Sequence, residues 1–176
     1  MIQRSTVLIS TRTLALLALL VGTCGATQLS VADAVIPALN HAQTSYVAGC
    51  GGCHGIQGIS RNDLIPDLKD RAGYWLCTAE GRKYMVKLPN VALAPLSDAE
   101  LADLMNFVAF DLGGVSAPKT AARYTASEIT QLRAESPIIT DVLRSRHTLV
   151  ASLVKTCSVS PVIAKSLAGY QQTFTQ

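Results

Sequence analysis

The stretch YVAGCGGCHGIQG, from Tyr46 to Gly58, places Cys50, Cys53 and His54 in the order C-x-x-C-H, with glycine at both intervening positions. Two cysteines at this spacing occur in half-sites for zinc, in thioredoxin-like redox pairs and in haem attachment sites. A zinc site needs a second pair of ligands, and the other cysteines of the chain stand alone. A thioredoxin-like pair needs a βαβ setting, for which the sequence gives no sign.

The histidine directly after the second cysteine favours haem attachment. The two thiols add to the vinyl groups of the haem as thioethers, and their short spacing brings both sulfurs to one edge of the porphyrin. His54 then faces the iron from the adjacent turn as the proximal ligand. We therefore interpret Cys50, Cys53 and His54 as the covalent attachment site of one haem c.

The N-terminus predicts export. Arg4 and Arg12 precede the apolar run LALLALLVG, residues 14–22, and small residues follow it, which is the order of a secretory signal peptide. The run is too short to be a comfortable transmembrane helix. We expect cleavage of residues 1–26, or cleavage as late as residue 34. An exported chain with an attached haem is expected in the bacterial periplasm.

The charge balance and the possible lipidation of Cys24 bear on whether the chain binds nucleic acid or a membrane. Two of the 15 basic residues lie in the signal, and without them 13 basic residues stand against 12 acidic ones. We expect no nucleic-acid binding, because dense basic patches with a reading motif are lacking. Membrane attachment is expected only if Cys24 is the lipidated cysteine of a lipoprotein, and Thr23 is an unusual residue before such a cysteine.

Cys77 and Cys157 remain after the motif and the export segment are accounted for. In an oxidising compartment two spare cysteines can pair, and this pair would fasten the C-terminal section to the core. The alternative is two separately buried thiols that act as small apolar residues.

The clearest predicted helix is LSDAELADLMNFVAFDLGG, residues 96–114. Ser97 as the N-cap and Glu100 three residues later form a capping box. Leucine, methionine and valine then recur at three- and four-residue spacing, which predicts one apolar face. The glycine pair at 113–114 is expected to end the helix.

The flanking segments complete a predicted all-α fold. Residues 62–95 are broken by glycine and proline, so we expect loops with one or two short helices. A loop-rich section of this length is unusual unless it encloses a bound group or another part of the chain. Thr125 with Glu128 predicts another helix start, and a longer helix is expected over 138–155. The tail from residue 158 has no assignable pattern.

The motif CGGCHG, the loop-rich section after it and the late helix LSDAELADLMNFV together resemble the single-haem class I c-type cytochromes, over residues 42–112. This resemblance implies helices packed around one covalently bound haem, an electron carrier rather than an enzyme, and a methionine on the distal side of the iron. It predicts a cytochrome c domain over residues 35–115 and a helical C-terminal extension over residues 116–176.

A second resemblance concerns the partners. The segment GYWLCTAEGRKYMVKLPNVALAPLSD, residues 73–98, and the extension YTASEITQLRAESPIITDVLRSRHTLV, residues 124–150, resemble a bacterial subgroup of small cytochromes that partner periplasmic dehydrogenases. They imply a shuttle that takes electrons from a dehydrogenase to a terminal acceptor, an oxidase or another cytochrome. The alternative is a cytochrome subunit of a dehydrogenase complex.

The distal iron ligand is predicted to be Met85. This methionine lies between Gly81 and Pro89, in an expected loop ahead of the clearest helix, where the resembled family places its ligand. Met105 is the alternative methionine ligand, but it lies on the apolar face of that helix and is expected to pack in the core. Without a methionine ligand the position would fall to His147 or stay open, and an open position would favour a small-molecule sensor or a peroxidase-like enzyme.

Charged and aromatic side chains surround this methionine in the sequence. Arg82, Lys83 and Lys87 cluster there, and such charge runs are usually a solvated face. The functional alternatives are docking of an acidic redox partner and neutralisation of a haem propionate. Tyr74 and Trp75 suit a site that is apolar on one side and polar at the tip, and packing explains them equally well.

Overall fold

A computed structural model of the chain describes residues 39–62, 64–135 and 138–169. These ranges contain helices and no strands, which confirms the predicted all-α class. They belong to one compact unit, and the predicted boundary after residue 115 falls inside it. The predicted signal peptide, with both cleavage positions and Cys24, lies outside the described residues.

The α-helices of these ranges follow in the order α1 His41–Gly49, α2 Gly51–His54, α3 Ala79–Lys87, α4 Pro89–Ala92, α5 Asp98–Asn106, α6 Ala126–Ala134, α7 Val142–Thr156 and α8 Pro161–Ala168. A 3₁₀ segment, Ala72–Cys77, precedes α3. Helix α5 continues through a π-helical turn, Phe107–Leu112, and a 3₁₀ turn, Gly114–Ser116. α1 and α6 pack on α5, α8 packs on α7, and the 3₁₀ segment contacts α3, α7 and the π-helical turn.

Two predicted helix starts are confirmed by their cap hydrogen bonds. The Ser97 hydroxyl accepts from the Glu100 N–H at 3.3 Å, and the Glu100 carboxylate accepts from the Ser97 N–H at 2.8 Å, so α5 begins with the predicted capping box. The Thr125 hydroxyl accepts from the Glu128 N–H at 3.2 Å and caps α6.

Helix α5 buries the apolar face that its sequence spacing predicts. Leu101, Leu104 and Met105 are at most 5% exposed. At the end of this helix the Phe107 ring meets the fully buried ring of Tyr46, from α1, edge to face at a centroid distance of 5.5 Å. This packing fixes α1, and with it the motif that follows, against the main helix of the core.

The middle section is more helical than predicted, and the prediction of a loop at Met85 is wrong, because Met85 lies within α3. The Thr78 hydroxyl caps this helix by accepting from the Gly81 N–H at 3.0 Å. Glycine fits at position 81 because a Cβ there would overlap the carbonyl oxygen of Trp75. Pro89 begins α4 instead of ending a loop, since the first helical residue needs no N–H partner.

The C-terminal section differs from its prediction in two places. Helix α7 begins at Val142 and not at residue 138, because an Asp141 carboxylate oxygen accepts from the Arg144 N–H at 2.9 Å and forms the N-cap. The unassigned tail contains α8, in which Ser160 is the N-cap and the next residue is a proline in the first turn.

One arginine of α3 ties α6 and the segment before it to the core. Arg82 donates from Nε and Nη2 to the two carboxylate oxygens of Glu128 at 2.5 and 2.7 Å, and its guanidinium lies 3.9 Å from the ring centroid of Tyr124. The backbone N–H of Tyr124 in turn donates to the buried Asn106 side chain at 2.7 Å. The chain after residue 116 is thereby joined to α3 and α5.

Arg82, Lys83 and Lys87 were predicted to form a solvated face, and this prediction is wrong for two of the three. Arg82 is used in the contact with Glu128, and Lys87 is only 3% exposed, with its ammonium donating to the backbone carbonyl of Glu135. Lys83 remains half-exposed and pairs with the Glu135 carboxylate. These cations serve packing within the fold, because the C-terminal section covers the surface on which the sequence placed them.

Cys77 and Cys157 form a disulfide, which confirms the predicted pairing. The bridge joins the last residue of the 3₁₀ segment to the C-cap of α7, across 80 residues of sequence. The C-terminal helices are thus fastened to the segment that carries Trp75.

Replacing both Cys77 and Cys157 by alanine is expected to lower the free energy of unfolding by about 4 kcal/mol, because the bridge closes a long loop in the unfolded chain. Urea denaturation of the mature protein measures the difference. Adding a thiol reductant should lower the stability of the wild type and leave that of the double variant unchanged. Equal urea midpoints for the two oxidised proteins would contradict the prediction.

Candidate functional site

A cavity of about 550 Å³ lies among α1, α3, α5, the 3₁₀ segment and the C-terminal helices. Its walls are mostly apolar and include Leu68, Trp75, Leu88, Leu101, Leu104 and Val108. Ligand sites in proteins are typically concave, mostly apolar and about 300–1,000 Å³ in volume. The cavity therefore has the size and the lining of a site for a largely apolar ligand.

The C-x-x-C-H motif forms the turn from α1 into α2, at the wall of this cavity. The Cys50 carbonyl accepts from the N–H groups of Cys53 at 3.2 Å and His54 at 2.9 Å, so the motif is a single helical turn. Both thiols are free; Cys50 is half-buried and lines the cavity together with His54, whereas Cys53 is exposed and outside the lining. Burial raises the pKa of the Cys50 thiol, and the neighbouring Cys53 adds to this shift.

The orientation of the His54 ring is set by one hydrogen bond. Its Nδ1 lies 2.9 Å from the carbonyl oxygen of Pro66. A carbonyl oxygen only accepts hydrogen bonds, so Nδ1 carries the proton in this contact, and in the neutral ring Nε2 is then the nitrogen with the lone pair. This tautomer presents Nε2 as the nitrogen available to a metal.

The loop that carries Pro66 is held against the motif by its glycines and by a buried tyrosine. The Tyr46 hydroxyl donates to the Gly55 carbonyl at 2.7 Å, and the Gly58 carbonyl accepts from the Leu68 N–H at 2.8 Å. Both glycines have positive φ, 75° and 76°, which favours glycine at these turns. Burial raises the pKa of Tyr46 to about 12, so its hydroxyl remains a donor at neutral pH.

Two thioethers line the same cavity as His54. Met85 from α3 and Met105 from α5 are 5% and 3% exposed, and both belong to the walls. The hydroxyl of Tyr124 lies 4.0 Å from the Met85 sulfur, but it donates its stronger hydrogen bond to the Arg82 carbonyl oxygen, at 2.9 Å. The structure thus brings the predicted ligands His54 and Met85 to one cavity, and Met105, the alternative methionine, lines this cavity as well.

The two remaining histidines and Tyr74 lie outside the cavity lining, and Trp75 is part of it. His147 is half-buried and outside the cavity lining, and His41 is exposed beside Glu100, 3.5 Å from its carboxylate. Trp75 lines the cavity, whereas Tyr74 does not.

The wall residues that sequence reasoning missed include Tyr84, Arg146 and Leu167. The Arg146 Nε donates to the Tyr84 hydroxyl at 2.9 Å, across 62 residues of sequence. Burial raises the pKa of Tyr84, although the guanidinium acts against this shift. The sequence carries no signal for this contact, because only the packing of α7 and α8 brings the C-terminal section to the cavity.

No protein-family model, no curated protein and no solved structure matches this chain. Within the described ranges, no group of three or more histidine, cysteine or acidic side chains is arranged to hold a metal ion, and no helix is long and apolar enough to cross a membrane. The function is therefore inferred from the cavity and the motif at its wall.

Gly55→Ala is expected to lower the free energy of unfolding by about 2 kcal/mol or more, since its backbone conformation is nearly exclusive to glycine and a Cβ would overlap the Ile59 carbonyl oxygen. Gly52→Ala is the matched control inside the same motif, because its Cβ would have no atom within 4 Å. Thermal unfolding of the two variants tests the difference. A larger loss of stability in Gly52→Ala than in Gly55→Ala would contradict this geometry of the motif turn.

Proposed function

We propose that this chain is a periplasmic electron-transfer protein that carries one covalently attached haem c, in the manner of the class I c-type cytochromes. The observation that carries the proposal is the placement of His54: Nδ1 is bound to the Pro66 carbonyl, Nε2 has no hydrogen-bond partner among the described residues, and the residue lines an apolar cavity. Cys50 lines the same cavity, one helical turn away.

The residues present fit the cofactor. A haem c site needs two thiols and an imidazole close together, a mostly apolar pocket and room for a flat macrocycle. The chain supplies a free thiol at Cys50 in the lining of a cavity of about 550 Å³, and a second free thiol at Cys53, which is exposed and lies three residues further along the motif. Metal-ligating histidines usually donate their other ring N–H to a carbonyl or carboxylate, as His54 does, which fixes the ring and its tautomer.

A bound haem supplies a one-electron iron couple whose potential depends on axial ligation and surroundings. The chain's part is to hold the group and to set those surroundings. Each thiol would form one carbon–sulfur bond by adding across a vinyl double bond, with its proton going to the other vinyl carbon, so no oxidant and no leaving group would be needed. The apolar walls lower the local dielectric, which is one of the protein's controls on potential.

Compartment and partners complete the proposal. A structural disulfide, here Cys77–Cys157, is typical of exported proteins, in agreement with the N-terminal signal pattern. We infer that electrons arrive from a periplasmic dehydrogenase and leave to an oxidase or another cytochrome, on the resemblance of residues 73–98 and 124–150 to partners of such dehydrogenases. Membrane attachment would require lipidation of Cys24.

Met85 is proposed as the distal iron ligand. The position of Met85 on a helix, and not in the loop that the family pattern implies, favours a second candidate function. If the Met85 thioether does not reach the iron from this helix, the sixth position stays open or exchangeable. In that case the protein would act as a small-molecule sensor or a peroxidase-like enzyme.

Haem attachment is tested by producing the exported protein with a c-type maturation system and measuring the pyridine haemochrome spectrum and the intact mass. The wild type is expected to carry one covalent haem per chain. Cys50→Ala/Cys53→Ala should lose the covalent haem, whereas Cys77→Ala/Cys157→Ala, with as many cysteines removed, should keep it. A wild type without haem, or covalent haem in the Cys50/Cys53 double variant, would exclude the proposed function.

The distal ligand is tested with Met85→Leu and Met105→Leu, two changes that keep side-chain volume. The oxidised wild type should show the weak long-wavelength band of methionine-ligated ferric haem. Met85→Leu should lose this band and have a lower midpoint potential, because a thioether ligand raises the potential. Loss of the band in Met105→Leu alone would move the ligand to Met105, and a wild type without the band would favour the sensor or peroxidase-like function.

A further inference from the structure

The C-terminal section supplies part of the cavity wall. Arg146, from α7, and Leu167, from α8, lie on the lining among residues that otherwise come from positions 44–108. Asp67 is the other charged side chain of the lining. Among the described residues, Arg146 is therefore the one arginine or lysine in the lining of this mostly apolar cavity.

The guanidinium of Arg146 has donors to spare. Its Nε donates to the Tyr84 hydroxyl at 2.9 Å. Arg82, Arg133 and Arg144 pair with carboxylates. Arg146 has no carboxylate within 4.0 Å among the described residues, as is also the case for Arg61, Arg71 and Arg123, but of these four arginines it is the one in the cavity lining. A half-buried cation beside apolar walls is unfavourable unless a partner neutralises it.

The surrounding structure keeps this cation in position. The Tyr84 ring packs on Trp75 at a centroid distance of 4.8 Å, and both residues line the cavity. The Cys77–Cys157 disulfide joins the end of α7 to the 3₁₀ segment that carries Trp75. At the end of α8, Gly169 leaves room for the guanidinium, because a Cβ there would lie 3.3 Å from the Arg146 Nη1.

We propose that Arg146, together with the Tyr84 hydroxyl, forms a carboxylate-binding subsite in the cavity wall, and that this subsite takes a propionate of the bound haem. The inference rests on the proposed function, because the propionate belongs to the proposed cofactor. Arginine suits this role, since its planar fork binds a carboxylate through two parallel hydrogen bonds. The C-terminal extension is then part of the cofactor site and not an appendage to it.

The subsite has a consequence for the midpoint potential. A guanidinium beside a propionate offsets its negative charge, and in a cavity of low dielectric this effect is strong. Removing the guanidinium leaves the negative charge uncompensated, which favours the oxidised, more positive form of the iron site. The midpoint potential should therefore fall when the positive charge at position 146 is removed.

The experiment compares Arg146→Gln with Arg144→Gln in the full exported holoprotein. Arg144 is the matched control, because it lies on the same helix with the same charge, is highly exposed and pairs with Asp141. We expect a lower midpoint potential in Arg146→Gln than in both the wild type and Arg144→Gln. Equal shifts in the two variants, or no shift in either, would overturn the subsite.

Two further variants keep the inference testable if Arg146→Gln does not fold. Arg146→Lys keeps the charge and loses the planar fork, so its potential should fall less than that of the glutamine variant and still lie below the wild type. Tyr84→Phe removes the hydroxyl and should also lower the potential. Wild-type potentials in both proteins would overturn the subsite.

Haem content and added acetate separate the possible failures. Haem content is measured first on every protein, and a wild type without haem would reject the proposed function. If the variants carry a full complement of haem and have unchanged midpoint potentials, only the subsite is rejected. A small free acid would offer the same carboxylate chemistry as the propionate. Excess acetate should leave the wild-type potential unchanged, and an acetate effect that disappears in Arg146→Gln would overturn the assignment to a propionate.

Discussion

The apolar cavity of about 550 Å³ is the constraint on which the rest of the structure depends. The walls expose apolar surface to a space that is partly open to solvent, and covering such surface is favourable by roughly 25 cal/mol per Å². A largely apolar ligand that fills the cavity would therefore stabilise the folded chain by binding to it. The proposed covalently held haem would be a ligand of this kind.

The walls are held by two different kinds of interaction. On the N-terminal side, short-range hydrogen bonds arrange the motif: the Tyr46 hydroxyl supports Gly55, and the Pro66 carbonyl orients His54. On the C-terminal side, the Cys77–Cys157 disulfide and the Arg82–Glu128 pair join late segments of the chain to early ones. The site is therefore assembled from parts far apart in sequence, and the proposed roles of His54 and Arg146 belong to its two sides.

Charged residues show how the position of a side chain changes its role. Arg82 and Lys87 suggested a surface for a redox partner or a propionate, but they contact the C-terminal section and are largely removed from solvent. Arg146, which no motif singles out, lies instead on the cavity wall. Sequence reasoning assigns charges to surfaces by default, and it cannot anticipate which segment will cover them.

The sequence by itself determined what depends on near neighbours: the C-x-x-C-H turn, the Ser97 and Thr125 caps, the all-α class, and the two cysteines available for pairing. These features follow from spacing and local hydrogen bonding within a few residues. Only the tertiary structure decided that Met85 lies on a helix, that Met105 also reaches the cavity, and that Arg146 meets Tyr84 across 62 residues. Such contacts depend on which helix faces pack together, and local sequence patterns do not encode that choice.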